Sequence, residues 1–184
     1  MPYNEFVEQG IFKPLGMVDT TFTPTDEQWD RMVHMHDLKD GVCSFHPLQK
    51  HTFGNYPLSY FCGGAGLVST VSDYEKFAEM LLCEGKGRDG AEVLRAETVR
   101  LMRRVAVPDS IMPGNQKWAL SMRVILEPTY GRLPVGTYGW SGAYGTHFWV
   151  DPENQVVGIY MKNSFYDGGS CALTAANFEK DVYL

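Results

Sequence analysis

The sequence predicts an α+β fold in which helices flank an antiparallel sheet. The first observation is that apolar residues recur at helical spacing over residues 71–82 and 96–104. The second is a change of composition in the last third of the chain, where short β-branched and aromatic segments are separated by turn residues. Two of these segments are joined by only a short turn, which predicts an antiparallel hairpin.

The N-terminal segment predicts a short amphipathic helix, Asn4–Lys13, which Pro14 and Gly16 are expected to end. From about Thr20 to Cys62 the chain is rich in Pro, Gly, Asp and His, so we expect long surface excursions with short strands. Three apolar residues are expected to share the inner face of the helix: Phe6, Val7 and Ile11.

The clearest helical signal follows residue 70. Ser72 and Glu75 form a capping-box pattern, which places the start of a helix here. Gly85 suits the left-handed cap at its C-terminus. A shorter helix is expected at Ala96–Arg104. The inward-facing residues are expected to be Tyr74, Phe77, Ala78, Leu81 and Leu82 in the first helix, and Val99 and Met102 in the second.

The last third of the chain has strand composition. The turn sequence Asp-Pro-Glu-Asn-Gln at residues 151–155 joins two strands as a hairpin. Residues 156–161 are apolar on both faces apart from Gly158, which predicts a central strand covered on both sides. Ala172–Tyr183 is expected to be a closing helix that packs on the sheet. The predicted strands are Trp118–Leu126, Thr137–Trp140, Thr146–Asp151 and Val156–Asn163.

Composition is that of an ordinary globular protein and excludes several classes of function. The 184 residues suffice for one domain, with 44% hydrophobic and 21% charged residues. A formal net charge of −6 argues against a nucleic-acid partner, and no apolar stretch is long enough to span a membrane. Residues 1–17 lack the basic leader and apolar segment of a signal peptide. We therefore expect neither a nucleic-acid nor a membrane partner.

Neither cysteine nor histidine spacing predicts a metal site. The four cysteines are widely spaced, so we expect free thiols, which slightly favour a cytoplasmic location and leave localisation otherwise open. His34, His36, His46 and His51 cluster in sequence, but the His-x-His pair has no well-placed third and fourth ligands. We expect no metal and no cofactor.

The run Gly-Trp-Ser-Gly-Ala at residues 139–143 carries the candidate chemistry. Ser141 resembles the nucleophile of a Gly-x-Ser-x-Gly elbow, but that elbow needs a helix directly after the serine, and then an acid and a histidine. Here turn and strand composition follow, and no histidine follows Asp151. Alternatively, a glycine-rich bend can expose backbone N–H groups to a reacting carbonyl. Gly142 would then allow close approach of the substrate, and Ala143 would present its N–H.

Four blocks follow one another along the chain: FVEQGIFKPLGMVDTTF, GGAGLVSTVSDYEKFAEMLL, DGAEVLRAETVRLM and YGWSGAYGTHFWVDPENQVVGIYMKN. Taken in this order, they resemble the serine β-lactamase-like hydrolases. The family includes class C β-lactamases, D-alanyl-D-alanine carboxypeptidases and family VIII esterases. The resemblance implies the C-terminal portion of the β-lactamase/transpeptidase-like fold. It also implies an acyl-serine mechanism on ester, amide or β-lactam substrates.

The resemblance assigns roles to the residues of the bend. Trp140, Ser141 and Gly142 match the family's Lys-Thr-Gly element. The Ala143 N–H would be one oxyanion donor, and the hydroxyl of Ser141 would hydrogen-bond the substrate. Trp140 and Gly142 would contact the substrate, and Tyr144 either lines the pocket or has a structural role.

Trp140 stands where classical β-lactamases have lysine, whose charge helps to hold a substrate carboxylate. Tryptophan offers a neutral N–H and an apolar face. This favours neutral esters over carboxylate-bearing β-lactams, with simple packing as the alternative role for Trp140. We expect His147 to be a packed or hydrogen-bonded strand residue and not a base.

The family's other two motifs are absent from the chain. No serine is followed by lysine three positions on, and no tyrosine or serine is followed by asparagine two positions on. We therefore expect residues 1–184 to be a single incomplete domain that is inactive alone. Its apolar surfaces and sheet edges would bind the missing N-terminal part or a second copy, and the intact enzyme would take a small-molecule acyl substrate. The alternative is a stand-alone, non-catalytic binding or interaction module on a hydrolase-derived scaffold.

Overall fold

The chain folds around a five-stranded antiparallel sheet, whose strands are hydrogen-bonded in sequence order. The computed structural model describes residues 1–48, 60–108, 110–111, 116–120, 122–127, 133–165, 167 and 172–183. The helical elements are α1 (Tyr3–Val7), a π-helical segment (Glu8–Phe12), α2 (Lys13–Leu15), α3 (Asp26–Arg31), α4 (Val71–Leu82), α5 (Ala96–Met102) and α6 (Leu173–Val182). The strands are β1 (Met35–Lys39), β2 (Val42–His46), β3 (Gln116–Trp118), β4 (Arg123–Ile125), β5 (Tyr138–Ser141), β6 (Thr146–Asp151) and β7 (Val156–Met161).

Helices cover both faces of the sheet. Phe148 and Val150 of β6 join the main core with α4. Trp149 points to the opposite face, where its ring packs against Phe178 of α6 with centroids 5.3 Å apart. Side chains alternate between the two faces of a strand, so this single strand contributes to both cores. The predicted α+β class is confirmed, and so is the closing helix predicted at Ala172–Tyr183.

The predicted hairpin of β6 and β7 is confirmed. Asp151 pairs with Val156 at its closed end. The buried carboxylate of Asp151 accepts hydrogen bonds from the backbone N–H groups of Glu153 and Asn154, both at 3.1 Å. This side chain thus holds the turn that the Asp-Pro-Glu-Asn-Gln sequence predicts.

Strand β7 is an edge strand, and the prediction that it is central is wrong. Within the described part of the chain, β6 is its only partner in the five-stranded sheet. Its residues are apolar on both faces because α4 and α6 both contact it. A strand can be covered by helices on both faces and still have a neighbouring strand on only one side. The apolar pattern indicates the covered faces and not the number of neighbouring strands.

The expected strand Trp118–Leu126 is instead a hairpin of two short strands. Trp118 of β3 pairs with Arg123 of β4, and the Ala119 N–H donates to the Met122 carbonyl at 2.9 Å. The prediction is wrong because strand composition continues through the reversal, with no glycine or proline to mark it.

The N-terminal helix exists, but its buried face differs from the predicted one. Val7, Phe12 and Leu15 are buried, whereas Phe6 is 60% exposed. The π-helical segment sets the spacing, because Val7 and Phe12 are five residues apart along it. Pro14 lies within α2 and does not stop the helix, which ends at Gly16 in the left-handed conformation.

The region from Thr20 to Cys62 contains the expected short strands, β1 and β2, together with a helix that was not predicted. Thr25 and Gln28 form a full capping box at the start of α3. The Thr25 N–H donates to Gln28 Oε1 at 2.9 Å, and the Gln28 N–H donates to Thr25 Oγ1 at 3.2 Å. The Thr-x-x-Gln spacing was a readable signal for this helix.

Helix α4 has the predicted buried stripe but different caps. Its N-cap is Thr70, whose Oγ1 accepts the Asp73 N–H at 3.2 Å, so the predicted Ser72–Glu75 capping box is wrong. At the other end, Glu84 has φ of +52° and is the first left-handed residue. The N–H of Gly85 then donates to the Met80 carbonyl at 2.8 Å, as in a Schellman motif.

We expect Thr70→Ala to lower the free energy of unfolding by about 1 kcal/mol, because it removes the acceptor for the Asp73 N–H. Ser72→Ala is the matched control on the same turn, and it should change the free energy by less than about 0.5 kcal/mol. Urea titrations followed by circular dichroism measure both. Equal losses for the two variants would contradict the assignment of Thr70 as the N-cap.

Candidate active-site wall

A tight turn between β5 and β6 holds the candidate oxyanion donor. The Gly142 N–H donates to the Thr146 carbonyl at 2.7 Å, and the Gly145 N–H donates to the Gly142 carbonyl at 3.1 Å. A Cβ added at Gly142 would lie 2.3 Å from Thr146 Oγ1, so a larger residue would disturb this closure. Gly145 has φ of +89°, which also favours glycine.

Ala143 and Tyr144 occupy the tip of the turn and are both exposed. Within the described residues, the Ala143 N–H forms no hydrogen bond. The ring of Tyr144 lies 5.3 Å from that of Phe165, between centroids. A backbone N–H that faces solvent without an internal acceptor can donate to an oxygen of a bound molecule.

Trp140 lies on the face of the sheet that packs on α4. Its ring centroid is 4.2 Å from that of Trp118, and its side chain is partly buried against the main core. The structure therefore shows a packing contact for Trp140. A contact of Trp140 with substrate stays a prediction.

Ser141 belongs to a buried chain of hydrogen bonds on the α6 side of the sheet. Its Oγ lies 2.7 Å from His147 Nδ1, and His147 Nε2 lies 2.9 Å from Glu179 Oε1. The guanidinium of Arg123 donates to the same Glu179 oxygen at 3.1 Å. None of the four residues is more than 8% exposed. His147 is thus a hydrogen-bonded strand residue, as expected.

A serine, a histidine and a carboxylate in line resemble a catalytic triad, but the surroundings differ from one. Ser141 ends a strand and is followed by a turn and by β6, whereas a nucleophile elbow is followed by a helix. Its hydroxyl points under α6, and it meets the imidazole at Nδ1, the nitrogen that faces the acid in serine-protease triads. The arrangement therefore favours a buried structural network. Hydrogen bonding of Ser141 to substrate stays a prediction.

The other end of β5 is tied to α4. The Tyr138 hydroxyl donates to the Leu81 carbonyl at 3.0 Å, and Tyr138 is only 1% exposed. Burial raises the pKa of Tyr138 to about 12, so the phenol stays protonated at neutral pH. Strand β5 is thus held on one face through Tyr138 and on the other through Ser141.

Sequence reasoning singled out Ser141 and His147 separately, without pairing them, and it missed Arg123 and Glu179. The two strand residues pair in register across a hairpin, which is a local relation. Glu179 is 32 residues from His147 and 56 from Arg123, so helix α6 must dock on the sheet to bring it into contact. Only the unusual acidic residue on the inner face of a predicted amphipathic helix could have pointed to it.

The described residues contain no group of three or more His, Cys, Asp or Glu that could hold a metal ion. His51 and Cys171 lie outside the described residues, while Cys43, Cys62 and Cys83 are free thiols. No helix in this part of the chain combines the length and the apolar character that crossing a bilayer requires.

Comparison with known proteins decides the family. A family model described as Beta-lactamase matches residues 1–180. The chain belongs to the β-lactamase family. The resemblance found in the four sequence blocks is therefore confirmed.

Individual relatives of this β-lactamase-family chain are much longer than the chain itself. It is 30% identical over 174 residues to Protein Rv1367c of Mycobacterium tuberculosis, with 87% of this chain and 43% of the relative covered. It is 26% identical over 176 residues to a provisionally named D-alanyl-D-alanine carboxypeptidase of Escherichia coli (strain K12), with 88% and 40% covered. The chain therefore spans less than half of the length of these relatives.

Solved structures confirm the β-lactamase/transpeptidase-like fold, since a penicillin-binding protein homolog from Caulobacter crescentus superposes with a TM-score of 0.66 at 19% identity, with 98% of this chain and 52% of that chain covered. EstCE1, a hydrolase with promiscuous acyltransferase activity, superposes with a TM-score of 0.79 at 20% identity. The match covers 100% of this chain and 51% of EstCE1. At this identity the likeness concerns the fold alone.

We expect Glu179→Gln to destabilise the chain by about 3–5 kcal/mol, because it removes the carboxylate charge from the buried ion pair with Arg123. Lys180→Gln changes the next, exposed residue of α6 and should cost less than about 0.5 kcal/mol. Urea unfolding of both variants tests this. A Glu179→Gln variant as stable as Lys180→Gln would show that the carboxylate is not needed as a counter-charge.

Proposed function

We propose that this chain forms the oxyanion-bearing wall of the acyl site in a serine β-lactamase-related hydrolase. The observation that carries the proposal is that the N–H of exposed Ala143, beside Gly142, has no acceptor among the residues that the structure describes. A serine encoded outside these residues attacks the acyl carbonyl, and the resulting oxyanion accepts a hydrogen bond from Ala143. The leaving group departs with a proton, and water then cleaves the acyl-serine bond.

The residues around Ala143 have separate parts in this proposal. Gly142 lets the substrate approach the turn, because it has no side chain. Trp140 and Tyr144 contribute apolar surface beside the acyl group. Ser141 holds the end of β5 through its bond to His147.

We propose neutral acyl substrates, such as esters, over carboxylate-bearing β-lactams. Trp140 carries no charge at the position of the family's lysine. Side-chain carbons of Lys162 lie against Gly145, and its ammonium donates to the Asp167 carbonyl at 2.7 Å and to Thr174 Oγ1 at 3.2 Å. Trp140 therefore offers no positive charge to a substrate carboxylate, and the ammonium of Lys162 is already bonded to Asp167 and Thr174. The hydrolase and acyltransferase description of EstCE1 is consistent with ester chemistry.

In this proposal the chain is inactive alone and requires a partner. The outer edge of β7 has no strand partner within the described residues, which leaves backbone groups open to pairing. Tyr3 and Phe6 of α1 are 43% and 60% exposed, so apolar surface is also open. These features favour association with the remaining part of a longer domain, or with a second copy of the chain.

A non-catalytic binding module is the second candidate, and the absence of Ser-x-x-Lys from the 184 residues favours it. The coding sequence upstream of Met1 separates the two candidates. An in-frame Ser-x-x-Lys supports the hydrolase, whereas a stop codon followed by a ribosome-binding site supports the module.

We expect no covalent adduct when this purified chain is treated with a fluorophosphonate, because its buried serine network lacks substrate access. Intact-mass spectrometry measures the adduct, with Ser141→Ala as the matched control. An adduct that forms on the chain and disappears in Ser141→Ala would make Ser141 a nucleophile and overturn the proposal.

We expect Ala143→Pro to lower kcat about 10²–10³-fold in the complete protein that carries the nucleophile, because proline removes the oxyanion N–H. Ala143→Gly keeps the N–H and should stay within about tenfold of the parent kcat. Steady-state hydrolysis of a p-nitrophenyl ester measures both, and thermal melts show whether each variant is folded. A folded Ala143→Pro variant with parent kcat would exclude Ala143 as the donor.

A further inference from the structure

We propose that the buried chain Arg123–Glu179–His147–Ser141 is a positioning network that holds the β5–β6 turn in the conformation that exposes the Ala143 N–H. This inference rests on the proposed function for its catalytic meaning. The structural part of the inference concerns only these four residues, none of which belongs to the Ser-x-x-Lys or Tyr-x-Asn motif of the family. We call these four residues the positioning network.

The network ends next to the turn. Ser141 is the last residue of β5, and Gly142, which closes the turn, follows it directly. His147 is the second residue of β6 and pairs with Ser141 across the hairpin. The 2.7 Å bond between Ser141 Oγ and His147 Nδ1 therefore joins the two strands where the turn leaves them.

The acceptor and donor roles along the network are mutually consistent. A carboxylate only accepts hydrogen bonds, so the proton between His147 and Glu179 belongs to His147 Nε2. In the tautomer that carries this proton and no other, Nδ1 accepts the Ser141 hydroxyl proton. The serine hydroxyl thereby takes one orientation, directed away from the turn and toward the helix.

The far end of the network is anchored in three other elements. Arg123 belongs to β4, which pairs with β5 on the side opposite to β6. Glu179 belongs to α6, and the same helix is held by Tyr183, whose hydroxyl donates to Asp151 Oδ2 at 2.9 Å. The Trp149 indole N–H donates to the Tyr183 hydroxyl at 3.1 Å. Movement of Ser141 would thus require rearrangement of β4, β6 and α6 together.

Amide hydrogen exchange on the present chain tests the network without any activity. The Gly142 N–H donates to Thr146 inside the turn, so its exchange reports opening of the turn. We compare its protection with that of the slowest amides of α4, which report global unfolding. Ser141→Ala and His147→Phe should raise turn exchange about tenfold relative to global exchange, because each breaks the bond between the strands.

The matched control is Val150→Ala, which removes buried volume from β6 on the opposite face of the sheet. It should speed exchange of the α4 amides and leave the exchange rate of the Gly142 N–H within twofold of the parent, because local opening of the turn does not require global unfolding. Ser141→Thr keeps the hydroxyl and should restore the parent ratio. An unchanged ratio in Ser141→Ala and His147→Phe would overturn the inference, as would failure of Ser141→Thr to restore it.

The complete protein separates this inference from the proposed function. Ser141→Ala should lower kcat about tenfold there with KM within twofold of the parent, since it displaces an oxyanion donor and not a binding surface. If the exchange ratios change but no acyl-serine forms in the complete protein, the proposed function fails and the network stands as a structural device. If acyl-serine forms but the ratios do not change, only the network fails.

Discussion

The buried carboxylate of Glu179 is the charge around which α6 and the sheet are arranged. An ionised carboxylate that is 2% exposed is stable only with partners that replace water. Arg123 and His147 supply those partners from β4 and β6. Because the partners lie on two strands that flank β5, a single helical residue sets where α6 sits along the sheet. The Tyr183–Asp151 bond then joins the C-terminal end of the helix to the end of β6.

Close backbone approach makes this docking possible. A Cβ at Gly158 would lie 2.1 Å from the Trp149 ring, so the indole occupies the space that a side chain on β7 would fill. Gly139 has a comparable role, because a Cβ there would lie 2.1 Å from the Phe148 carbonyl oxygen. The glycines weaken the strands locally. They allow Trp149 to pack between the sheet and α6, where it also bonds Tyr183.

The position of the proposed site depends on the contacts that hold strand β5. Tyr138 ties one end of the strand to α4, and Ser141 ties the other to β6 and α6. Among the described residues, the turn after Ser141 is held by the backbone bonds of Gly142 and Gly145 and by the ring contact of Tyr144 with Phe165. A rigid strand that leads into a short turn is suited to present an N–H at a constant position, which is the requirement for preorganised oxyanion stabilisation.

The sequence by itself determined the fold class, the family, the β6–β7 hairpin and the stripe of α4. These depend on local periodicity and on turn chemistry, which short segments carry. It also pointed to residues 140–144 as the candidate wall. It did not reveal which residue caps α4, because Thr70 and Ser72 satisfy the same pattern and only the backbone geometry distinguishes them.

Only the tertiary structure decided that β7 is an edge strand and that Ser141 faces His147 and Glu179. The sequence of an apolar strand has the same pattern whether the strand is central or lies at an edge of the sheet. Ser141 is linked to Glu179 through His147, and Glu179 lies on a helix 32 residues beyond His147 that docks on the sheet. Such long-range pairing depends on how the elements pack together, since the local sequence around each residue contains no information about its distant partner.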